Sequence, residues 1–205
     1  GAGVQVTEEL AARRGVSGRA WNRLSRQVAA PLRLAEPLPH PALRPVPLDQ
    51  NELTRIAVAA LEPLGARAVG EIAVLTDWYV TDPVRTRPLL RADRTFLPLV
   101  LDDDGATVGP VVVPGRSACP TCLDLWRAEA DPEWPILATQ LRLFEAGRQD
   151  PVVVRLAAAA AVLALGGGEG QEWRISADGG ISQFRVEPHP DCGCLAPGGA
   201  NAFAV

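Results

Sequence analysis

Apolar residues recur along this chain with two different periods. Leu53, Ile56, Ala57, Ala60, Leu61 and Leu64 fall at helical spacing, and Gly65 supplies a stop. Beyond that point the pattern shortens to compact apolar runs. Ala73-Val74-Leu75 closes one that reads as a buried strand, residues 95–101 form a second and residues 107–113 a third. Residues 83–93 read as a helix between the first two runs, and strand, helix, strand favours a parallel sheet. Asp102-Asp103-Asp104-Gly105 invites a metal reading, but Asp-Asp-Gly between two strands is first of all a hairpin turn. Residues 123–129 and 133–145 read as helices. Residues 152–165, dominated by Ala, Val and Leu, read as a buried core helix ending at Gly166-Gly167-Gly168. Residues 172–176 and 182–187 read as strands around the turn Asp178-Gly179-Gly180.

The beginning of the chain follows other rules. Residues 7–14 and 17–28 read as two short helices opened by Thr7 and Ser17, with Gly15 between them. Pro31, Pro37, Pro39, Pro41, Pro45 and Pro47 exclude a helix and predict an extended connector. The expected organisation is an N-terminal helical segment and connector over 1–50, an α/β domain over 51–196 and a flexible tail over 197–205. Composition adds limits: 205 residues, 47% hydrophobic and 21% charged, suit one ordinary globular core. No apolar run reaches the roughly 18 residues of a membrane span, and no signal segment points to secretion, so a cytoplasmic protein is expected. The net charge of −4 argues against bulk nucleic-acid binding. A DNA-binding reading still attaches to residues 9–21, which resemble a helix-turn-helix with Arg19, Arg23 and Arg26 on its second helix. Lysine is absent, which removes Schiff-base and P-loop chemistry. Methionine is absent too, even at position 1, as expected for a processed product or a piece of a longer protein. Abundant Ala, Arg, Gly and Pro suggest a bacterial source.

All four cysteines fall into two close pairs, Cys119-x-x-Cys122 and Cys192-x-Cys194. Pro114 and Gly115 bend the chain before the first pair, and Gly193 permits the turn that a one-residue spacer requires. Thiolates brought together from two tight turns predict a tetrahedral, structural Zn2+ site on Cys119, Cys122, Cys192 and Cys194. Two disulfides fit less well, because Cys-x-x-Cys closes a strained ring, and a redox motif leaves the second pair unexplained. His189 is an alternative ligand, although a histidine between two prolines reads as a rigid loop residue.

The stretch Gly109-Pro110-Val111-Val112-Val113-Pro114-Gly115-Arg116-Ser117-Ala118-Cys119-Pro120-Thr121-Cys122-Leu123-Asp124-Leu125-Trp126-Arg127, with Asp131-Pro132-Glu133-Trp134-Pro135, Gln140-Leu141 and Pro188-His189-Pro190-Asp191-Cys192-Gly193-Cys194, resembles the ThiF-like cyclodehydratase-partner family of bacteriocin biosynthesis. The resemblance covers about residues 70–195. It implies an α/β, Rossmann-type mixed sheet with flanking helices and a zinc site on the four cysteines. That family belongs with the ubiquitin-activating-type adenylating enzymes and serves maturation of ribosomally made azole- or azoline-containing peptides. Its active relatives bind ATP on a glycine-rich loop after the first strand. Here the only candidate is Gly1-Ala2-Gly3-Val4-Gln5-Val6, with Val6 in place of a third glycine and no strand before it, so the nucleotide-binding half reads as degenerate or missing and ATP is not expected. The resemblance therefore implies a non-catalytic subunit that presents a precursor leader peptide to, or scaffolds, a YcaO-type cyclodehydratase, and a homodimer. The enzyme alternative is an adenylating protein whose nucleotide loop lies upstream, with Asp77 and Arg116 as ligand contacts. Asp77 otherwise reads as a loop or cap residue and Arg116 as a salt-bridge partner. Trp126 and Trp134 read as core packing or as the cover of a peptide groove, Asp124 and Arg127 as a pair on a helix surface, and His40 as part of the connector.

Overall fold

The computed structural model describes residues 43–62, 70–144, 150–167 and 170–195. The two N-terminal helices, the helix-turn-helix pattern, the Gly1-Ala2-Gly3 segment, His40, the stop at Gly65 and the tail over 197–205 lie outside the described residues. The elements run β1 (Leu43–Pro47), α1 (Glu52–Leu61), β2 (Gly70–Trp78), α2 (Pro83–Arg91), β3 (Phe96–Asp102), β4 (Gly105–Val108), α3 (Pro120–Ala130), α4 (Trp134–Leu141), α5 (Pro151–Gly167), β5 (Gln171–Ser176) and β6 (Ile181–Arg185), then a short 3-10 turn at Gly193–Leu195. The strands form one six-stranded sheet in sequence order. β1, β2 and β3 are parallel, and β3 to β6 follow one another antiparallel. The result is a mixed α/β sheet with flanking helices, as the resemblance implies, and the parallel pairing that strand, helix, strand favours holds for β2 and β3.

Alternation along the strands divides the apolar residues between two layers. From β2 and β3, Ile72, Val74, Leu97 and Leu99 face Leu53, Ala57 and Leu61 of α1 and Val153, Ala157 and Ala161 of α5. The intervening Ala73, Leu75 and Phe96 face Leu89 of α2 and Cys119 and Cys122 at the start of α3. β2 and β3 are therefore buried on both sides, which is why they read as continuous apolar runs. Each fully buried Leu, Ile or Phe contributes about 1.5–3 kcal/mol, so the two layers supply most of the driving force. Helix starts are set by short polar side chains. Asn51 accepts from the Leu53 N–H at 2.9 Å, Asp82 from Val84 at 2.8 Å and Asp150 from Val152 at 2.7 Å. Among the described residues, no helix is long and apolar enough to cross a membrane.

Several sequence expectations shift. Residues 43–47, read as connector, form an edge strand, so the sheet begins before residue 51. Leu48 N–H donates to the Val74 carbonyl at 2.9 Å. By alternation Arg44 and Val46 also face β2, while Leu43, Pro45 and Pro47 face outward, where a missing N–H costs no ladder bond. The run 107–113 divides in two. β4 stops at Val108, the chain turns through a cis Gly109–Pro110 bond, and Val112 pairs instead with Phe96. Pro110 has no N–H to continue the ladder. The helix expected to reach residue 145 ends at Leu141, where Leu143 and Phe144 tighten onto Gln140 and Leu141. At the β3–β4 turn, Gly105 is required: a Cβ there would lie 1.9 Å from the Ile175 carbonyl oxygen of β5.

Candidate functional site

The first cysteine pair is delivered by a turn and a helix start. Arg116 and Ser117 N–H groups both return to the Val113 carbonyl, at 3.0 and 3.1 Å. Buried Ser117 fastens the turn from inside, its hydroxyl accepting from Val113 N–H at 2.8 Å and donating to the Val111 carbonyl at 3.1 Å. Cys119 then takes the N-cap position of α3 with extended backbone, Pro120 opens the helix, and Cys122 N–H donates to the Cys119 carbonyl at 2.9 Å. Both sulfurs thus sit at the positive end of a helix, which favours thiolates.

The second pair arrives from the far side of the sheet. After β6 the chain crosses to α3, where the Trp126 indole N–H donates to the Glu187 carbonyl at 2.8 Å. His189 is only 3% exposed. Its Nδ1 accepts from Asp191 N–H at 3.0 Å, which leaves the proton on Nε2 to reach Glu129 Oε1 at 3.0 Å. The Trp126 ring meets the imidazole edge-on, centroids 4.5 Å apart. His189 carbonyl accepts from Cys192 N–H at 3.0 Å, closing the turn that carries Cys192 and Cys194. Both imidazole nitrogens are taken by these partners, so His189 shapes the turn and does not replace a cysteine.

All four sulfurs lie within 4.8 Å of one another. The separations are 3.9 Å for Cys119–Cys122, 3.7 Å for Cys119–Cys192 and 3.3 Å for Cys122–Cys194. Four sulfurs about 2.3 Å from a central ion sit about 3.8 Å apart, whereas a disulfide needs about 2.05 Å. The thiols are free. Sharing of protons pulls Cys122 down, with Cys119 the largest contributor, and pushes Cys194 up. The donor set fits a soft tetrahedral cation such as zinc, with Cys119 and Cys122 buried and Cys192 and Cys194 half-buried.

The other sequence candidates separate from this centre. Asp77, at the end of β2, is 6% exposed and its carboxylate is taken by the Arg85 guanidinium and by Asp82 N–H, the latter at 3.0 Å. Arg85 also bridges to Asp49, so Asp77 belongs to a clamp between strand ends. Arg116 is exposed in the turn before Cys119. The acidic residues 102–104 make the β3–β4 turn, where Asp104 N–H donates to Asp102 at 2.9 Å. Asp124 and Arg127 attract one another on α3, as expected, and each has further partners: Asp124 accepts from the Trp134 indole at 3.1 Å and faces Arg142 at 3.6 Å, while Arg127 lies over the Trp134 ring at 4.8 Å. Trp134 thus packs α4 onto α3, and Trp126, 38% exposed, borders an open groove.

That groove, about 430 Å³, runs between α3 and the β5–β6 hairpin. Its floor holds a residue that sequence reasoning passed over. Glu172 is 4% exposed, and its Oε2 has no hydrogen-bond partner among the described residues. Burial pushes its carboxyl up, against the pull of Arg127 and Arg174. The available signal was the alternation Glu172, Arg174 against Trp173, Ile175, which places a carboxylate on an inward face of β5.

No family model matches the chain, and no curated protein matches it. Solved structures do. A heterocyclase in complex with substrate and cofactor superposes with a TM-score of 0.51 at 16% identity, over 93% of this chain and 33% of that chain. The E. coli microcin synthetase McbBCD complex gives 0.57 at 11% identity, over 78% of this chain and 70% of that one. E. coli MccB with MccA gives 0.40 at 19% identity over 60% and 38%, too low to bear on the fold. The chain spans about a third of the heterocyclase chain and shares the fold of that segment.

Proposed function

We propose that this chain is a zinc-binding, ThiF-like accessory subunit in the maturation of ribosomally made azole- or azoline-containing peptides, presenting a precursor peptide to a YcaO-type cyclodehydratase or scaffolding that enzyme. The cysteine tetrad carries this reading, because four sulfurs converge within 4.8 Å of one another in the same fold as a heterocyclase and a microcin synthetase component. Cys119, Cys122, Cys192 and Cys194 would hold the zinc. Four sulfur ligands leave no position for water or substrate, so the metal's contribution is structural. The clamp of Asp77 onto Arg85 supports an accessory role too, since it occupies the carboxylate that the adenylating alternative would direct at a ligand. The domain proposed to do this work is the α/β unit together with its zinc turn.

Elemental analysis with native mass spectrometry, run with and without ATP, tests the reading together with co-purification of a YcaO-type enzyme. One zinc per chain, no nucleotide adduct and a stable complex with that enzyme are the expected results. Absence of zinc sinks the metal assignment, and bound nucleotide transfers the chain to the adenylating class.

A further inference from the structure

The two edges of the sheet are not equivalent. β1 turns Pro45 and Pro47 outward and so keeps only the Leu43 N–H as a donor along its free side. β6, with the sequence Ile-Ser-Gln-Phe-Arg, has no proline, is exposed at every residue, and leaves Ile181 46% and Phe184 49% exposed. Among the described residues no strand pairs with its outer side. Ser176 N–H donates to the Gly180 carbonyl at 2.9 Å and Val186 N–H to the Gly170 carbonyl at 2.7 Å. Bonded pairs recur every second residue in an antiparallel ladder, so Ser182 and Phe184 face β5 and the backbone groups of Ile181, Gln183 and Arg185 face outward. These are the unpaired groups that strand addition uses.

The groove beside that edge holds an incomplete hydrogen-bonding site. Glu172 pairs with Phe184 across β5 and β6, so both side chains stand on the α3 face. Phe184 and Trp126 make apolar walls, and Glu172 supplies a buried carboxylate oxygen without a hydrogen-bond donor. Arg127 and Arg174 attract the Glu172 carboxylate without donating a hydrogen bond to its Oε2, the Arg174 guanidinium lying 6.0 Å over the Phe184 ring, and Arg185 pairs with Glu187 at 2.6 Å. A strand added outside β6 would run two strand spacings, about 10 Å, from β5. Arginine, the longest basic side chain, covers that span with a hydrogen bond while its stem lies between the aromatic rings.

We propose that the β6 edge and its groove bind an extended peptide segment, which adds a strand to the sheet and places an arginine on Glu172. As to its natural occupant this rests on the reading of the chain as a peptide-presenting subunit.

The probe is a fluorescein-labelled octapeptide of alternating valine and threonine with one central arginine, titrated by anisotropy into the full chain. Versions with norleucine or glutamate in place of arginine serve for comparison. Glu172→Gln is expected to weaken the arginine peptide about tenfold, as for one charge-assisted hydrogen bond, and to leave the norleucine peptide unchanged. Gln183→Pro removes an outward N–H without touching the β5 ladder and should abolish binding of every version. Amide exchange supplies a readout free of variants, since bound peptide should slow exchange at Ile181, Gln183 and Arg185. Equal affinity for all three peptides, or no change in exchange at those amides, overturns the proposal. A dimer that Gln183→Pro dissociates overturns it too, by giving the edge to a second copy. Peptide capture without cyclodehydratase association counts against the functional reading alone, and retained zinc and enzyme association without peptide capture counts against the edge site alone.

Discussion

His189 shows how a residue can matter to a cysteine tetrad without supplying a sulfur to it. Its ring joins Trp126 and Glu129 of α3 to the turn bearing Cys192 and Cys194. His189→Ala should leave one zinc per chain, cost about 1–2 kcal/mol in urea unfolding and speed transfer of metal to a chromophoric chelator. Unchanged release kinetics would show that the turn holds its shape unaided. Glu172 makes a prediction with a sign. Its carboxyl is raised by burial above the ordinary 4.5, against Arg127 and Arg174, so above that pH the folded chain keeps a proton that the unfolded chain has released. The stability it contributes is present at low pH and is lost as pH rises through the folded value. Glu172→Gln should therefore unfold at higher urea than the parent at pH about 7.5, the gap narrowing toward pH 4.5. A gap independent of pH would assign the effect to packing.

At the scale of elements, the sequence was most legible where one signal acted alone. The helices at Pro83–Arg91 and Pro151–Gly167 and the turns at Asp102–Gly105 and Asp178–Gly180 follow from period, capping and turn chemistry, and all stand in the structure. β1 was hidden because proline density reads as connector, and only the pairing with β2 shows that its prolines face away from the ladder. The third apolar run was overextended because apolar character continues past Pro110 while the hydrogen-bonding pattern does not. The tetrad was legible from spacing, whereas the groove depends on which faces of β5 and β6 are left uncovered by α3. Gly105 is the most exacting position in the sheet. Gly105→Ala should force β4 from β5, cost at least about 2 kcal/mol, and appear as lost amide protection in both strands. α5 packs through Ala157, Ala158 and Ala161 against the sheet and α1, so Ala157→Leu should overpack that layer at a cost of about 1–3 kcal/mol in urea unfolding.

For the described molecule, the proposed metal centre and the main core belong to different clusters. Val153, Ala157 and Leu53 secure the α1–α5 layer, while the tetrad ties residues 186–195 to the start of α3 on the opposite face. Chelation should therefore raise amide exchange about tenfold or more in residues 186–195 and the first turn of α3, and leave β2, α1 and α5 protected. Loss of protection throughout would show that the two layers unfold as one unit. The unequal edges set a limit of another kind. Among the described residues the sheet carries two outward prolines on one edge and none on the other, which makes β6 the more open edge for strand pairing. Two such chains meeting at β6 would close as a symmetric pair that leaves, among the described residues, only the proline-bearing β1 edges, whereas a peptide strand added at β6 would itself present a new edge. Pairing of two copies through β6 thus closes on itself and does not supply the repeated edge-to-edge addition from which fibres grow.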